Sequence, residues 1–546
     1  MSRSGHRPLR LATLAATLIA LLVTLGPAPW TLARAQAPRE SADGALYRRP
    51  LGHDPVTLDP ARISDTYSRS VAQQLFDGLV QYDHTLTVTP ALAQFWRASR
   101  DGLRWTFTLR KGVKFHHGRE VTADDVVFSF TRLLDPKVKS GAADLFTVIE
   151  GAEEYRSGKA RHVSGLSAVD RHTVQVVLKE APAPFVAVAA VGHAKILPRD
   201  LVEAQGDAFG QRPVGTGPFR FVGWERGKQI ALAANPDYFD GPPRLGRLVF
   251  RVYAGERFDA VNEDFERGEL EDAPLPPKMT TAEYKKIQTD PRFSYVKRSM
   301  FSLRFYGLNT RIKPLDDRRV RQAVIHAIDR AGLIESLYLG RPQVAKGILP
   351  PGTPGFNPKL EGYTYDPARA RELLAQAGYP RGAGAPPITI WSSVKDPLLR
   401  EHEAIRRALE EVGLRVEFSY LQDWPAFTRQ LAEGKMAAFL YAWNADAPDP
   451  DNFLFMLFHS RSARNFTGYA NPAVDAALEQ ARRAGDPQRR VELYRRAERL
   501  VLDDAPVVPF WHYAYERRFQ AYVKSVEVNG LGDPYIPLRK VWLDRR

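Results

Sequence analysis

The chain has 546 residues, of which 44% are hydrophobic and 26% charged, a composition typical of globular proteins but a length too great for a single core. It contains no cysteine, which excludes disulfide bonds, thiol catalysis and thiolate metal sites. The formal net charge is +14, yet the basic residues are dispersed and form no basic and aromatic module, which argues against a nucleic-acid partner. We therefore expect two or three domains.

The amino-terminal segment has the pattern of an export signal. Basic residues precede an apolar core at 11–25, which is short for a membrane span. Ala33-Arg34-Ala35 offers small residues at the two positions that a signal peptidase reads, and cleavage after Ala37 is the other candidate. We predict a cleavable signal peptide at 1–35 and an exported, soluble protein, because no later run is long and apolar enough to span a membrane. Since no N-terminal cysteine is present for a lipid anchor, the predicted location is the periplasm.

The first candidate site residues open a predicted helix at 64–81, in which apolar residues recur at helical spacing. Its first turn contains Thr66 and Tyr67, where backbone N–H groups can bind the carboxylate of a ligand. Thr66 and Tyr67 are therefore candidate ligand-binding residues, and a simple helix cap is the alternative.

Two further segments have clear local patterns. The stretch 105–109 alternates apolar and polar residues, as a half-buried strand does. Thr122 is predicted to cap a helix whose apolar residues share one face. His116 and His117 lie between them, but adjacent side chains at a strand end point to opposite faces, so we predict no metal site.

The second half of the chain alternates between helix and strand. One long helix is predicted at 317–339, and the order strand, helix, strand at 388–420 favours an α/β unit with a mainly parallel sheet. Two helices follow at 472–484 and 487–502, whose arginines, Arg490 among them, are predicted to lie on solvated faces.

A strand-like apolar run at 437–441 leads through Trp443 into an acidic segment. Three carboxylates follow among two prolines: Asp446, Asp449 and Asp451. Because proline restricts its own φ and the preceding residue, we predict an irregular, extended connection, with Asp451 or Asn452 as the cap of a short aromatic helix. Two interpretations stay open: a site for a ligand with a positive end and apolar parts, or a helix-capping turn with solvated carboxylates.

Four stretches carry a longer signature: Trp105-Thr106-Phe107 continuing to Leu109-Arg110-Lys111-Gly112-Val113-Lys114-Phe115-His116, Thr122-Ala123-Asp124-Asp125-Val126-Val127, Gly215-Thr216-Gly217-Pro218-Phe219, and Pro314-Leu315-Asp316-Asp317-Arg318. These stretches closely resemble motifs of the family 5 extracellular solute-binding proteins, the peptide-binding components of dipeptide and oligopeptide ABC transporters. The sequence departs from the family at His117, where Asp is usual. The resemblance extends over nearly all of the chain after the signal.

The resemblance implies a binding mode. In peptide-binding members, an Asp three residues after a Trp pairs with the peptide's α-ammonium, and the match here is Trp443-Asn444-Ala445-Asp446. Asp446 is therefore the expected ammonium partner. Main-chain groups flanking the Trp hydrogen-bond the peptide as an added strand, which implies Ala442 and Asn444. Trp443 itself is expected to offer apolar surface to the ligand, and a core position is the alternative.

The resemblance also implies a fold: an α/β, two-lobed periplasmic-binding-protein fold of type II, in the large cluster with an extra domain, with mixed sheets and flanking helices. The expected parts are lobe I from 36–85, 210–308 and 506–546, an extra α+β subdomain at 86–209 attached to lobe I, and lobe II at 309–505. The two lobes are expected to close on the ligand by hinge motion and to deliver it to permease subunits in the inner membrane. The expected state is a monomer without cofactor or metal.

Two alternatives remain for function. Members of the same family also bind non-peptide solutes, namely nickel chelates, haem, glutathione, opines or oligosaccharides. A secreted hydrolase is the third possibility, since acid pairs for glycoside hydrolysis are defined only in space. However, no Walker loop, dinucleotide loop or zincin motif occurs, so we predict a binding protein and not an enzyme.

Overall fold

The computed structural model describes residues 44–180, 185–255, 257–276 and 279–545. The predicted signal peptide at 1–35 lies outside these residues. Within the described ranges, no helix has the length and apolar character needed to cross a bilayer.

The strands are numbered in chain order. They are β1 (Leu46–Leu51), β2 (Val80–Tyr82), β3 (Val88–Pro90), β4 (Ala93–Ala98), β5 (Arg104–Leu109), β6 (Leu166–Asp170), β7 (Thr173–Val177), β8 (Phe219–Glu225), β9 (Gln229–Ala234), β10 (Arg247–Val252), β11 (Asp272–Pro274), β12 (Phe293–Ser299), β13 (Ser302–Leu308), β14 (Gln343–Val344), β15 (Ile388–Ser392), β16 (Val416–Tyr420), β17 (Ala438–Asn444), β18 (Val507–His512), β19 (Ala514–Gln520), β20 (Val523–Lys524) and β21 (Trp542–Leu543).

The α-helices are numbered in the same way. They are α1 (Thr66–Leu75), α2 (Ala123–Leu134), α3 (Ala152–Arg156), α4 (Phe185–Val188), α5 (Arg199–Gln205), α6 (Phe258–Glu266), α7 (Thr281–Thr289), α8 (Arg318–Ala327), α9 (Arg330–Tyr338), α10 (Pro367–Gln376), α11 (Leu399–Glu411), α12 (Trp424–Ala432), α13 (Asp451–Phe458), α14 (Pro472–Arg483) and α15 (Pro487–Asp504).

Lobe I carries a four-stranded sheet in the order β1-β10-β9-β8 and a three-stranded sheet in the order β11-β19-β12. In the larger sheet β1 lies parallel to β10, and the other pairs are antiparallel. The inward side chains form one apolar cluster with α1, which therefore has a fixed position against the sheet. Members of this cluster include Val71, Leu75, Phe219, Ile230, Leu248 and Phe250.

The extra subdomain is built on an antiparallel sheet in the order β4-β5-β7-β6. The predicted strand at 105–109 is confirmed as β5, and the predicted helix is confirmed as α2. Thr122 is the residue before α2, and its N–H donates to Asp125 Oδ2 at 2.9 Å. The apolar faces of α2 and of this sheet share one core, which includes Phe107, Val126, Phe130 and Val174.

Lobe II contains a six-stranded sheet in the order β14-β18-β13-β17-β15-β16. β15 runs parallel to β16 and β17, whereas β13 runs antiparallel to β17 and β18. The predicted parallel unit at 388–420 is confirmed as β15 and β16, but the sheet as a whole is mixed and not mainly parallel, because β13 and β14 run in the opposite direction. Since β15, β17 and β18 run the same way, their carboxyl ends meet at one edge of the sheet.

Two predicted helices end earlier than the sequence pattern indicates. The helix predicted at 64–81 ends at Leu75, because Phe76 is extended and Gly78 forms a β-bridge with Lys195. The helix predicted at 317–339 is two helices, α8 and α9. Ile328 is extended between them, and the Asp329 side chain caps α9 by accepting the Gly332 N–H at 2.9 Å.

Two chain crossings connect the lobes. β12 in the three-stranded sheet leads directly into β13 in the six-stranded sheet, and β18 leads back into β19. Short double crossings of this kind are suited to hinge motion. The exact residue boundaries of the lobes and of the subdomain stay a prediction.

His512 ends the crossing strand β18 and is buried. Its Nδ1–H donates to the Ser302 carbonyl at 2.8 Å, and burial lowers its pKa to about 4. In the unfolded chain the imidazole has its ordinary pKa of about 6.5, so below that pH only the unfolded chain takes up the proton. The neutral ring of His512 therefore contributes to the free energy of unfolding above pH 6.5, and this contribution is lost as the pH falls.

We therefore expect the free energy of unfolding to fall between pH 7 and pH 5, with about 2 kcal/mol of the fall due to His512. In urea unfolding at the two pH values, the free energy of unfolding of His512→Asn should fall by about 2 kcal/mol less than that of the wild type. His162→Asn, at an exposed position, is the matched control and should behave like the wild type. An equal fall in His512→Asn and the wild type would contradict the assignment.

Candidate ligand-binding site between the lobes

The elbow after β17 turns from strand to helix without a side-chain cap. β17 runs through Trp443 to Asn444, and α13 starts at Asp451 with Pro450 as the preceding cap residue. The prediction of Asp451 or Asn452 as the helix cap is therefore wrong. Asp449 instead stabilises the turn, since its Oδ1 accepts the Asp451 N–H at 2.9 Å.

Two of the three elbow carboxylates are held by arginines of lobe II. Asp449 accepts two hydrogen bonds from Arg490 at 2.8 and 2.9 Å, and Asp451 accepts two from Arg482 at the same distances. Arg490 is thus not on a solvated face, because α15 turns it toward the elbow. Bidentate pairing fixes both carboxylates in place. Asp449 and Asp451 are therefore neither solvated carboxylates nor free to bind the positive end of a ligand.

Asp446 differs because its ionic partner comes from the other lobe. Its Oδ1 pairs with Nη1 of Arg69 on α1, and the two side chains are 20% and 17% exposed. Burial alone raises the pKa of the Asp446 carboxyl, but the positive charge of Arg69, with a smaller contribution from Arg464, holds it below its usual value. The Asp446 carboxyl is therefore ionised at neutral pH.

The loop before Lys195 and the carboxyl-terminal segment complete the surroundings of Asp446. The Tyr535 hydroxyl donates to the Asp446 carbonyl at 3.0 Å and accepts the Gly192 N–H at 3.1 Å. His193 Nε2–H donates to the Ile63 carbonyl at 3.0 Å, which leaves Nδ1 as a buried acceptor with no partner among the described residues. Burial lowers the pKa of His193, so the ring is neutral and Nδ1 can accept a proton donor.

Ala442 and Asn444 lie on β17 with exposed side chains. The Ala445 N–H donates to the Phe301 carbonyl on the β13 side at 2.8 Å. Because main-chain groups alternate along an antiparallel pair, those of Ala442 and Asn444 point away from β13. On that side β15 pairs with β17 only as far as Phe439, so no described strand covers the edge beside Ala442 and Asn444.

Trp443 lies on the opposite face of β17 and is only 9% exposed. It belongs to the apolar cluster of lobe II, and its Nε1–H donates to Asn452 Oδ1 at 3.3 Å. The same Asn452 oxygen accepts the Asp446 N–H at 3.2 Å. Trp443 therefore positions the elbow from within the core.

Thr66 and Tyr67 are the first two residues of α1, which also carries Arg69. The cap is Asp65, whose Oδ1 accepts the Ser68 N–H at 2.8 Å. The Asp65 carboxylate thus occupies the start of the helix, where the sequence predicted that the carboxylate of a ligand would bind. The two candidate residues and the partner of Asp446 thus share one turn of helix.

The elbow borders a groove between lobe II and the extra subdomain. A cavity of about 60 Å³ beside it is lined by Val148 and Val188 from the subdomain and by Ala447 and Asn452 from lobe II. A neighbouring pocket of about 550 Å³ shares Val148 and Arg482 with this cavity and includes Met456. Within the described part of the chain, no group of three metal-ligating side chains occurs.

Sequence reasoning missed Arg69, His193 and Tyr535. Arg69 is the one charged residue in the stretch 66–75, which is a weak signal of a functional charge. His193 and Tyr535 lie in segments without a distinctive pattern, far from Asp446 in the sequence. Only the fold brings these residues together.

The chain matches the family model described as "Bacterial extracellular solute-binding proteins, family 5 Middle" over residues 87–465. It is 31% identical over 525 residues to Heme-binding protein A of Haemophilus influenzae, covering 90% of this chain and 92% of that protein. It is 30% identical over 491 residues to the Dipeptide-binding protein of Escherichia coli, covering 86% and 89%.

Among solved structures, the fold is similar to the periplasmic binding protein DppA of Helicobacter pylori in complex with the peptide STSA. The TM-score is 0.79 at 30% identity, with 92% of this chain and 98% of that chain covered. The dipeptide-binding protein of Pseudoalteromonas sp. SM9913 in complex with Met-Leu is similar with a TM-score of 0.77 at 27% identity, covering 91% and 100%.

Proposed function

We propose, because the chain belongs to the bacterial extracellular solute-binding proteins of family 5, that it binds a peptide-like ligand in its interlobe cleft and delivers it to an ABC importer. The observation that carries this proposal is the position of Asp446. It follows an uncovered strand edge in lobe II and faces Arg69 and His193 across the cleft. Relatives named as dipeptide-binding and di/tripeptide-binding proteins support the ligand class.

In the proposed complex the ligand's α-ammonium donates to the Asp446 carboxylate, and its main chain pairs with Ala442 and Asn444. Main-chain pairing does not depend on side-chain identity, so one site accepts many sequences. The charged hydrogen bond contributes about 1.5–3 kcal/mol, whereas micromolar affinity requires about 8 kcal/mol. The main-chain bonds and apolar burial in the groove must supply the remainder.

Thr66 and Tyr67 remain proposed ligand contacts. They begin the helix that carries Arg69, so their main-chain groups reach the same side of the cleft. Because the Asp65 carboxylate caps this helix, Thr66 and Tyr67 are proposed to contact uncharged ligand atoms and not the carboxylate first expected there.

The double crossing β12–β13 and β18–β19 is the proposed hinge. Ligand binding favours the closed arrangement because only that arrangement contacts the ligand from both lobes. The closed form is the state that permease subunits in the inner membrane are proposed to recognise. We propose further that the protein reaches the periplasm by cleavage of the 1–35 signal and acts as a monomer that does not chemically change its ligand.

Titration calorimetry with defined dipeptides and tripeptides tests the proposed function. We expect micromolar or tighter binding of at least one peptide, with no hydrolysis products in mass spectra of the mixtures. Haemin and glutathione belong in the same panel, because relatives are named for binding them. Binding of haemin or glutathione without any peptide would contradict the peptide proposal, and peptide turnover would contradict a transport role.

A further inference from the structure

Two arginine side chains contribute positive charge at the Asp446 carboxylate. Arg69 pairs with the Asp446 carboxylate, and Arg464 adds a second guanidinium near it. No carboxylate of the described residues forms an ion pair with Arg464 of lobe II. The Arg464 side chain is half-buried and lies near Gly141 of the subdomain. The remaining elbow carboxylates are already held by Arg482 and Arg490.

Arg69 also has unused hydrogen-bonding capacity. Its Nη1 donates to Asp446, but its Nε is buried and has no partner among the described residues. The nearby acid, Asp65, is engaged with the N–H and hydroxyl of Ser68. A buried guanidinium nitrogen without an acceptor costs free energy, so an anionic group brought by a ligand would stabilise it.

The α-ammonium of a peptide that has no acidic group nearby would be repelled by Arg69 at this site. It must share Asp446 with Arg69, and two cations on one carboxylate repel each other at close range. This repulsion is offset when the same ligand carries a carboxylate close to its ammonium. That carboxylate can pair with Arg69 in the bidentate manner typical of guanidinium groups, while the ammonium uses Asp446 and His193 Nδ1.

We propose that Arg69 is a specificity-determining residue and that the ligands are peptide-like solutes with an acidic group next to a free amino end. A first residue of glutamate or aspartate has this chemistry. The proposal rests on the proposed function, since it concerns the same cleft. It adds the chemical class of the ligand, and it adds Arg69 of lobe I as a second charged residue that binds the ligand beside Asp446.

The test compares two tripeptides that differ only in one charge, Glu-Ala-Ala and Gln-Ala-Ala. The wild type should bind Glu-Ala-Ala about tenfold to a hundredfold more tightly in titration calorimetry at pH 7. Arg69→Gln should reduce this ratio to about one, and it should bind Gln-Ala-Ala as tightly as the wild type or more tightly, because the ammonium no longer competes with Arg69. Arg199→Gln, at an exposed arginine of the extra subdomain that pairs with Glu203, is the control and should keep the wild-type ratio.

Arg69→Lys keeps the charge but loses the planar fork, so its ratio should lie between those of the wild type and Arg69→Gln. This variant also serves if thermal unfolding shows that Arg69→Gln does not fold. Equal binding of the two peptides by the wild type, or an unchanged preference in both Arg69 variants, would overturn the inference while leaving the proposed function in place. Failure of the wild type to bind any peptide would overturn both.

Discussion

Asp446→Asn is expected to weaken binding of a free-amino peptide about tenfold to a hundredfold, the loss for one charge-assisted hydrogen bond of about 1.5–3 kcal/mol. The amide has the shape of the carboxylate but lacks the charge that attracts an ammonium. Asn452 and Tyr535 contact the main chain of Asp446, so the elbow should keep its conformation. Titration calorimetry with one peptide on both proteins measures the difference.

An acetylated form of the same peptide isolates the interaction. Acetylation removes the ammonium, so it should weaken binding to the wild type by a similar factor and have little further effect on Asp446→Asn. Asp503→Asn, an exposed carboxylate of lobe II, is the matched control and should leave both affinities unchanged. If Asp446→Asn binds the free-amino peptide as tightly as the wild type, Asp446 does not bind the ammonium.

Glu401→Gln is expected to destabilise the fold by about 3–5 kcal/mol, the usual effect of removing one partner of a buried ion pair. Glu401 on α11 is 1% exposed and accepts two hydrogen bonds from Arg304 of β13 at 2.8 and 2.9 Å. Tyr306 and Tyr338 also donate to this carboxylate. The substitution leaves the Arg304 charge buried without a counter-ion, and one of the two tyrosine hydroxyls faces the amide NH₂ in place of an acceptor oxygen.

Urea unfolding at neutral pH measures this effect. The matched control is Glu403→Gln, two residues further along the same helix, where the carboxylate is exposed and pairs with Arg406 and Arg407. Exposed pairs contribute about 0–1 kcal/mol, so the control should unfold almost as the wild type does. Similar stabilities of Glu401→Gln and Glu403→Gln would show that the buried pair does not hold α11 against the sheet.

Elements with local signals were predictable from the sequence, and elements that depend on distant contacts were not. The helix after Thr122 carries its own cap and apolar face, and both appear in α2. The helix predicted at 64–81 ends early because Gly78 pairs with Lys195, a contact that no local pattern contains. The helix predicted at 317–339 breaks at Asp329, whose capping bond competes with continuation of the helix.

The candidate site shows the same division. The motif around Trp443 predicted Asp446, Ala442 and Asn444 as ligand-binding residues, and the strand register places Ala442 and Asn444 beside an edge of β17 that no described strand covers. The partner of Asp446 was not predictable, since Arg69 lies 377 positions away and comes from the other lobe. The sequence also could not show that Asp449 and Asp451 are held by lobe II arginines, because helical arginines are more often solvated.

A crystal structure of the protein with a bound free-amino tripeptide would show whether Asp446 binds the amino end of the ligand in the interlobe cleft. We expect the peptide to lie between the lobes, with its amino nitrogen about 3 Å from an Asp446 carboxylate oxygen and its main chain beside Ala442 and Asn444. A peptide bound outside the cleft, or inside it with its amino group far from Asp446, would disprove the proposed role of Asp446.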